Sequence, residues 1–169
     1  MERVKIKQLA RHKGDFDQII ELSQADKRDL PWWMANTASL NKNIVISDPD
    51  IIIYTDASRE GWGCHVPKTD QYASGRWSLE EQGLHINALE LLAVYLSLQA
   101  IFSNESAKHI KVMTYNTVTM LCIRNQGSTA SKHCNRVARN IWLWAIERNI
   151  WLSAYHCPGV LASLTWNGS

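Results

Sequence analysis

Residues 51–54 are an unbroken apolar run, Ile51-Ile52-Ile53-Tyr54, closed by Thr55-Asp56. A run this short and this rich in β-branched side chains predicts a strand buried on both faces. A turn over Ala57 to Glu60 and the segment Gly61-Trp62-Gly63 lead into Cys64-His65-Val66, so the first two strands are expected to form a hairpin, with Tyr72 to Ser78 as a third strand. Asn87 to Phe102 is apolar almost throughout, which predicts a helix buried against a sheet. Ile110, Val112 and Thr114 then alternate with Lys111, Met113 and Tyr115, the period of a strand. Thr117 to Asn125 predicts a short helix ended by Gly127, Ser131 to Asn149 a long one, and Ile150 to Tyr155 a last strand.

Three strands in sequence, a helix, a strand, two helices and a strand imply antiparallel neighbours followed by parallel additions through helical crossovers. The expected fold class is α/β, a mixed five-stranded sheet flanked by helices. Ahead of it, residues 1–48 read as a helical connecting segment, and residues 49–169 as the sheet domain. Within that segment Gly14-Asp15 predicts a break and a new helix start, with Phe16, Ile19, Ile20 and Leu22 as its apolar stripe. Pro31-Trp32-Trp33 sets two large aromatics beside a residue that restricts helix continuation.

Composition narrows the classes. With 169 residues and 46% hydrophobic content, the chain can build one sizeable core. It has no apolar run of membrane-spanning length, and Met1-Glu2-Arg3-Val4-Lys5 lacks the apolar stretch of a secretory signal. A soluble, monomeric, intracellular protein of cytoplasm or nucleus is expected, with no membrane partner. Cys64, Cys122, Cys134 and Cys157 have no paired ligand spacing, and the neighbours His133-Cys134 and His156-Cys157 do not supply it, so the thiols are expected to act as small buried hydrophobes. The net charge is +2, but residues 103–169 hold seven basic and two acidic side chains. Lys132, Arg136 and Arg139 recur there at helical spacing, a stripe suited to nucleic-acid phosphates or to plain solvation.

Asp56 ends an apolar strand, where a carboxylate needs a partner or a metal, or else forms a turn by bonding the backbone of Ser58. Glu90 opens an otherwise apolar helix. With Asn87 as N-cap it would complete a capping box, and the same position favours an anion electrostatically. His156 precedes Cys157-Pro158-Gly159 and has the ordinary pKa of a proton-transfer group, or simply packs in a loop.

Thr55-Asp56-Ala57-Ser58, Gly61-Trp62-Gly63, Ile86-Asn87-Ala88-Leu89-Glu90-Leu91, Asn116-Thr117 and His156-Cys157-Pro158-Gly159 together resemble the ribonuclease H domain of retrotransposon reverse transcriptases. The stretch Trp142-Leu143-Trp144 and the last strand look closest to the DIRS-like, tyrosine-recombinase group. The resemblance implies a ribonuclease H-like fold with its C-terminal helix truncated or missing, and an upstream reverse transcriptase domain as possible partner. It also implies cleavage of RNA in RNA-DNA hybrids by two magnesium ions held on four carboxylates. Asp56 and Glu90 match two of these positions, as catalytic residues and metal ligands, and His156 matches a histidine that assists proton transfer or product release. Ser58, Lys132, Arg136 and Arg139 would contact the hybrid. Tyr115 and Trp166 stand where the remaining two aspartates belong, and no Asp or Glu follows Glu147. A phenol is a weak, neutral donor at neutral pH, so the expectation is a degenerate copy with magnesium weak or lost and hydrolysis impaired, the alternative being a non-catalytic nucleic-acid-binding or host-adopted interaction domain.

Overall fold

A computed structural model of the chain describes residues 2–27, 29–38, 47–128 and 130–158. Two compact units divide between Ile46 and Ser47.

In the first unit, helix α1 (Glu2–Arg11) closes at Gly14, whose φ of 86° suits a residue without a Cβ and whose N–H donates to the Leu9 carbonyl. No helix follows from Asp15. Its carboxylate instead accepts from the Asp17 N–H at 3.0 Å and from the Gln18 side chain at 2.9 Å, a local turn that uses the cap before a helix can begin. Phe16 and Ile19 consequently stand exposed rather than forming a stripe. Helices α2 (Gln24–Lys27) and α3 (Asp29–Asn36) complete the unit. Pro31 falls in the first turn of α3, where its missing N–H has no intrahelical partner to lose, so the Pro-Trp-Trp sequence opens a helix instead of stopping one.

The second unit is a mixed five-stranded sheet with helices. Its elements are β1 (Ile51–Ala57), β2 (Gly61–Val66), β3 (Gln71–Arg76), α4 (Leu79–Gln82), α5 (Ile86–Phe102), β4 (His109–Thr114), α6 (Thr117–Arg124), α7 (Lys132–Glu147) and β5 (Trp151–His156). The strand order is β3-β2-β1-β4-β5, with β1 antiparallel to β2, β2 antiparallel to β3, and the pairs β1–β4 and β4–β5 parallel. Ile51, Ile53 and Thr55 are buried while Ile52, Tyr54 and Asp56 are half-buried, so β1 alternates rather than being sealed on both faces. Ile51 and Ile53 pack with Val112, Leu152, Leu91, Val94, Leu98, Ile141 and Ala145 in the main core, which places α5 and α7 over this side of the sheet.

Three local predictions need correction. The capping box sits at Ser78 and Glu81, where the Ser78 N–H donates to Glu81 Oε2 at 2.7 Å and starts the one-turn helix α4. The N-cap of α5 is His85, whose Nδ1 accepts from the Asn87 N–H, so Asn87 is already inside the helix. After α6 the left-handed residue is Gln126, with φ of 56°, rather than Gly127. Gly127 serves close packing instead, since a Cβ there would lie 2.7 Å from Asn135 Oδ1. The expectation of a reduced C-terminal helix, and with it Trp166, falls outside the described residues.

Candidate active site

Parallel pairing aligns the carboxyl ends of three strands. Thr55 pairs with Thr114 and Thr114 with His156, so Asp56 and Tyr115 follow directly after partnered residues, at the end of the sheet where open α/β proteins bind ligands. Glu90 reaches this end from α5. As the fifth residue of a helix that starts at Ile86, it is too far along to form a capping box with Asn87. It is only 7% exposed, and its Oε2 has no hydrogen-bond partner among the described residues.

Electrostatics mark the pair as under-compensated. Burial, and then the nearby charge of Asp56, push the Glu90 carboxyl up to about 7. Burial also raises Asp56, opposed by a hydrogen bond from the Ala57 backbone. Among the described residues no cation acts on either carboxyl. The turn alternative for Asp56 does not hold, because the Ser58 N–H donates to the Gly61 carbonyl at 2.9 Å.

Asn116 joins the two sides of the site. Its Oδ1 accepts from the Thr119 N–H and caps α6, while its Nδ2 donates to Asn87 Oδ1 at 2.9 Å, one helical turn before Glu90. His156 Nε2 lies 3.1 Å from the Tyr115 carbonyl. A carbonyl can only accept, so Nε2 carries the proton and the exposed ring keeps Nδ1 for exchange. The structure therefore brings Asp56, Glu90, Tyr115 and His156 to one end of the sheet. The sequence had marked Asn87 as a cap and motif residue and Asn116 only as part of a motif, because nothing in the chain signals a bond between residues so far apart.

Ser58 lies in the β1–β2 turn beside Asp56. Its Oγ accepts from the Glu60 and Gly61 N–H groups, and its carbonyl accepts from Trp77 Nε1 at 2.9 Å. Asp56 and Ser58 line an open groove of about 490 Å³, together with Trp62, Arg76, Gly61, Gly63 and Gly75. Lys132, Arg136 and Arg139 are exposed on α7, with Arg136 touching His133 at 3.5 Å.

As a metal site the cluster has two carboxylates, hard oxygen donors suited to magnesium. The unpartnered, buried Glu90 Oε2 beside a second under-compensated carboxyl fits one such ion. Among the described residues no group of three or more His, Cys, Asp or Glu side chains could hold a metal. No helix among them is long and apolar enough to cross a membrane.

The sheet order and its helices are those of the ribonuclease H fold. LC11-RNase H1, solved in complex with an RNA/DNA hybrid, is similar with a TM-score of 0.52 and 19% identity over 64% of this chain and 86% of that one. RNase H1 of the halophilic archaeon Halobacterium salinarum gives a TM-score of 0.55 at 15% identity, covering 67% of this chain and 89% of that one. The N-terminal ribonuclease H domain of a Mycobacterium tuberculosis protein gives 0.52 at 10% identity, over 67% and 90%. No family model and no curated protein matches the sequence.

Proposed function

We propose that this chain is a ribonuclease H-like domain related to retrotransposon reverse transcriptases, in which nucleic-acid binding persists and hydrolysis is impaired. The observation that carries the reading is the tyrosine that follows β4. Where two-metal hydrolysis needs a third carboxylate beside Asp56 and Glu90, Tyr115 brings a phenol and a ring. Asp56 and Glu90 would hold a single magnesium ion, which when bound would polarise a phosphate oxygen. For their part the chain's own groups do less than hydrolysis requires. Glu90, raised to about 7, is partly protonated at neutral pH and so binds a cation in competition with a proton. His156 can exchange a proton at Nδ1 while Nε2 stays tied to the Tyr115 carbonyl.

Binding needs none of this. A hybrid duplex is recognised largely through phosphates and 2′-hydroxyls, contacts that Lys132, Arg136 and Arg139 on α7 and Ser58 beside Asp56 would supply. LC11-RNase H1, of the same fold, was solved with an RNA/DNA hybrid, which supports that substrate class.

Cleavage of a labelled RNA-DNA hybrid in magnesium and in manganese tests the reading. We expect binding without cleavage by the unaltered chain and gain of cleavage in the Tyr115→Asp, Trp166→Asp double variant. Cleavage by the unaltered chain, abolished by Asp56→Asn, would overturn the impaired assignment and make two carboxylates sufficient.

A further inference from the structure

The edge strand β5 carries a cluster that the carboxylate site does not use. Tyr155 is 44% exposed, and two cations from separate elements approach its ring. Lys111 of β4 places Nζ at 4.2 Å from the ring centroid, and Arg124, the last residue of α6, places its guanidinium carbon at 5.5 Å. Both are within the range of cation–π attraction. The two acidic residues of the basic C-terminal third are engaged elsewhere: Glu105 pairs with Lys108 and Glu147 with Arg148. Neither is left to neutralise Lys111 or Arg124.

We propose that Lys111, Arg124 and Tyr155 form a phosphate clamp, a second contact for the backbone of a nucleic-acid strand passing along the β5 edge. Three physical points support the assignment. A cation already held over a ring loses less side-chain freedom when it meets an anion. A ring covers one face of a cation without using up its N–H donors, and a guanidinium fork matches two phosphate oxygens. The position is also suitable. Tyr155 directly precedes His156, and its β4 partner Met113 is two residues before Tyr115, so the clamp stands beside the carboxylate end of the sheet without being part of it. Its cations come from β4 and α6, elements other than the α7 that carries the basic stripe. The clamp rests on the nucleic-acid reading above and adds to it where a strand lies.

Fluorescence anisotropy with a labelled RNA-DNA hybrid and a labelled single-stranded RNA, using the full chain across a range of salt, decides the matter. The Lys111→Gln, Arg124→Gln double variant should bind at least about tenfold more weakly, and its salt slope should fall by about 1.4 to 1.8, since each phosphate that is no longer neutralised removes about 0.7 to 0.9. A control that removes the same charge elsewhere, Lys68→Gln with Lys108→Gln, should change affinity less than about twofold. Thermal unfolding of each variant checks the fold. Arg124 is exposed, so Arg124→Gln alone, with about half the slope change, keeps the test if the double variant does not fold. Equal binding by the double variant and the control overturns the clamp and leaves nucleic-acid binding standing. Absence of nucleic-acid binding by the unaltered chain overturns both. Equal loss of binding to polyglutamate and to the hybrid would mean that the cluster reads charge alone, and would overturn the phosphate assignment.

Discussion

Glu90→Gln is expected to leave the metal-free protein unchanged in acid and to stabilise it as pH rises. The cause is a carboxyl that folding raises from its ordinary 4.5 to about 7. Below 4.5 the group is protonated in folded and unfolded chains alike and contributes nothing to pH dependence. Between 4.5 and about 7 only the unfolded chain gives up the proton, so the folded state binds more protons and stability falls as pH climbs. Above about 7 both states are ionised and the whole penalty is present. A pH unit is worth about 1.4 kcal/mol, which sets the penalty at about 3 kcal/mol for a site this buried. Glutamine keeps the shape and cannot ionise.

Urea unfolding from about pH 5 to about pH 8.5, in chelator, measures this. The unaltered protein should lose stability across that window and the variant should lose much less, with Asp56, which burial also raises, contributing to the residual slope. Magnesium should restore the unaltered protein above neutrality, because an ion that binds only the folded state stabilises it, and should do little for the variant. Parallel pH profiles for the two proteins would refute the reasoning, as would a profile of the unaltered chain that rises relative to the variant.

Asn116→Ala removes the cap of α6 and its bond to Asn87, and should cost about 1 to 2 kcal/mol in denaturant unfolding; an unchanged midpoint would contradict the bridging role. Gly61→Ala should destabilise by about 1 to 3 kcal/mol because the new Cβ meets the Gly75 carbonyl, a backbone group that cannot turn aside. Gly83→Ala, whose nearest neighbour would be Glu80 O at 3.4 Å, should stay within about 0.5 kcal/mol by the same measurement. Arg136→Ala with Arg139→Ala should weaken hybrid binding and flatten its salt dependence, by about 0.7 to 0.9 for each phosphate the arginines neutralise; unchanged isotherms would remove the α7 stripe from the interface.

Much of the sheet domain was legible because its signals are local. The Ile51-Ile52-Ile53 run, the alternation through Ile110 and Val112, and the apolar stretch after Asn87 each fix an element within a few residues. Errors came where polar side chains had a choice of backbone partners. Asp15 could start a helix or close a turn, and bonds to Asp17 and Gln18 chose the turn. His85 took the cap expected of Asn87, which left Asn87 to meet Asn116. In the site, Asp56 and Glu90 could be named from motif residues, but the burial that raises Glu90 is a tertiary property, supplied by what packs around α5. The Lys111–Arg124–Tyr155 cluster was illegible for a related reason: its members belong to three elements, and in the sequence Lys111 reads only as the polar half of a strand.

The parallel register of β1, β4 and β5 has a consequence for how the molecule acquires its site. The antiparallel meander β1–β2–β3 joins neighbours through short turns and can form early, whereas pairing β4 beside β1 must first close the long loop that contains α5. Asp56 is in place once the meander forms, but Glu90, Tyr115 and His156 arrive with the later crossovers. A nascent or partly folded chain would therefore carry the groove of the first three strands before Glu90 joins Asp56, and on the proposed reading affinity for a divalent ion would await the packing of α5 against β1, ahead of the arrival of Tyr115 and His156.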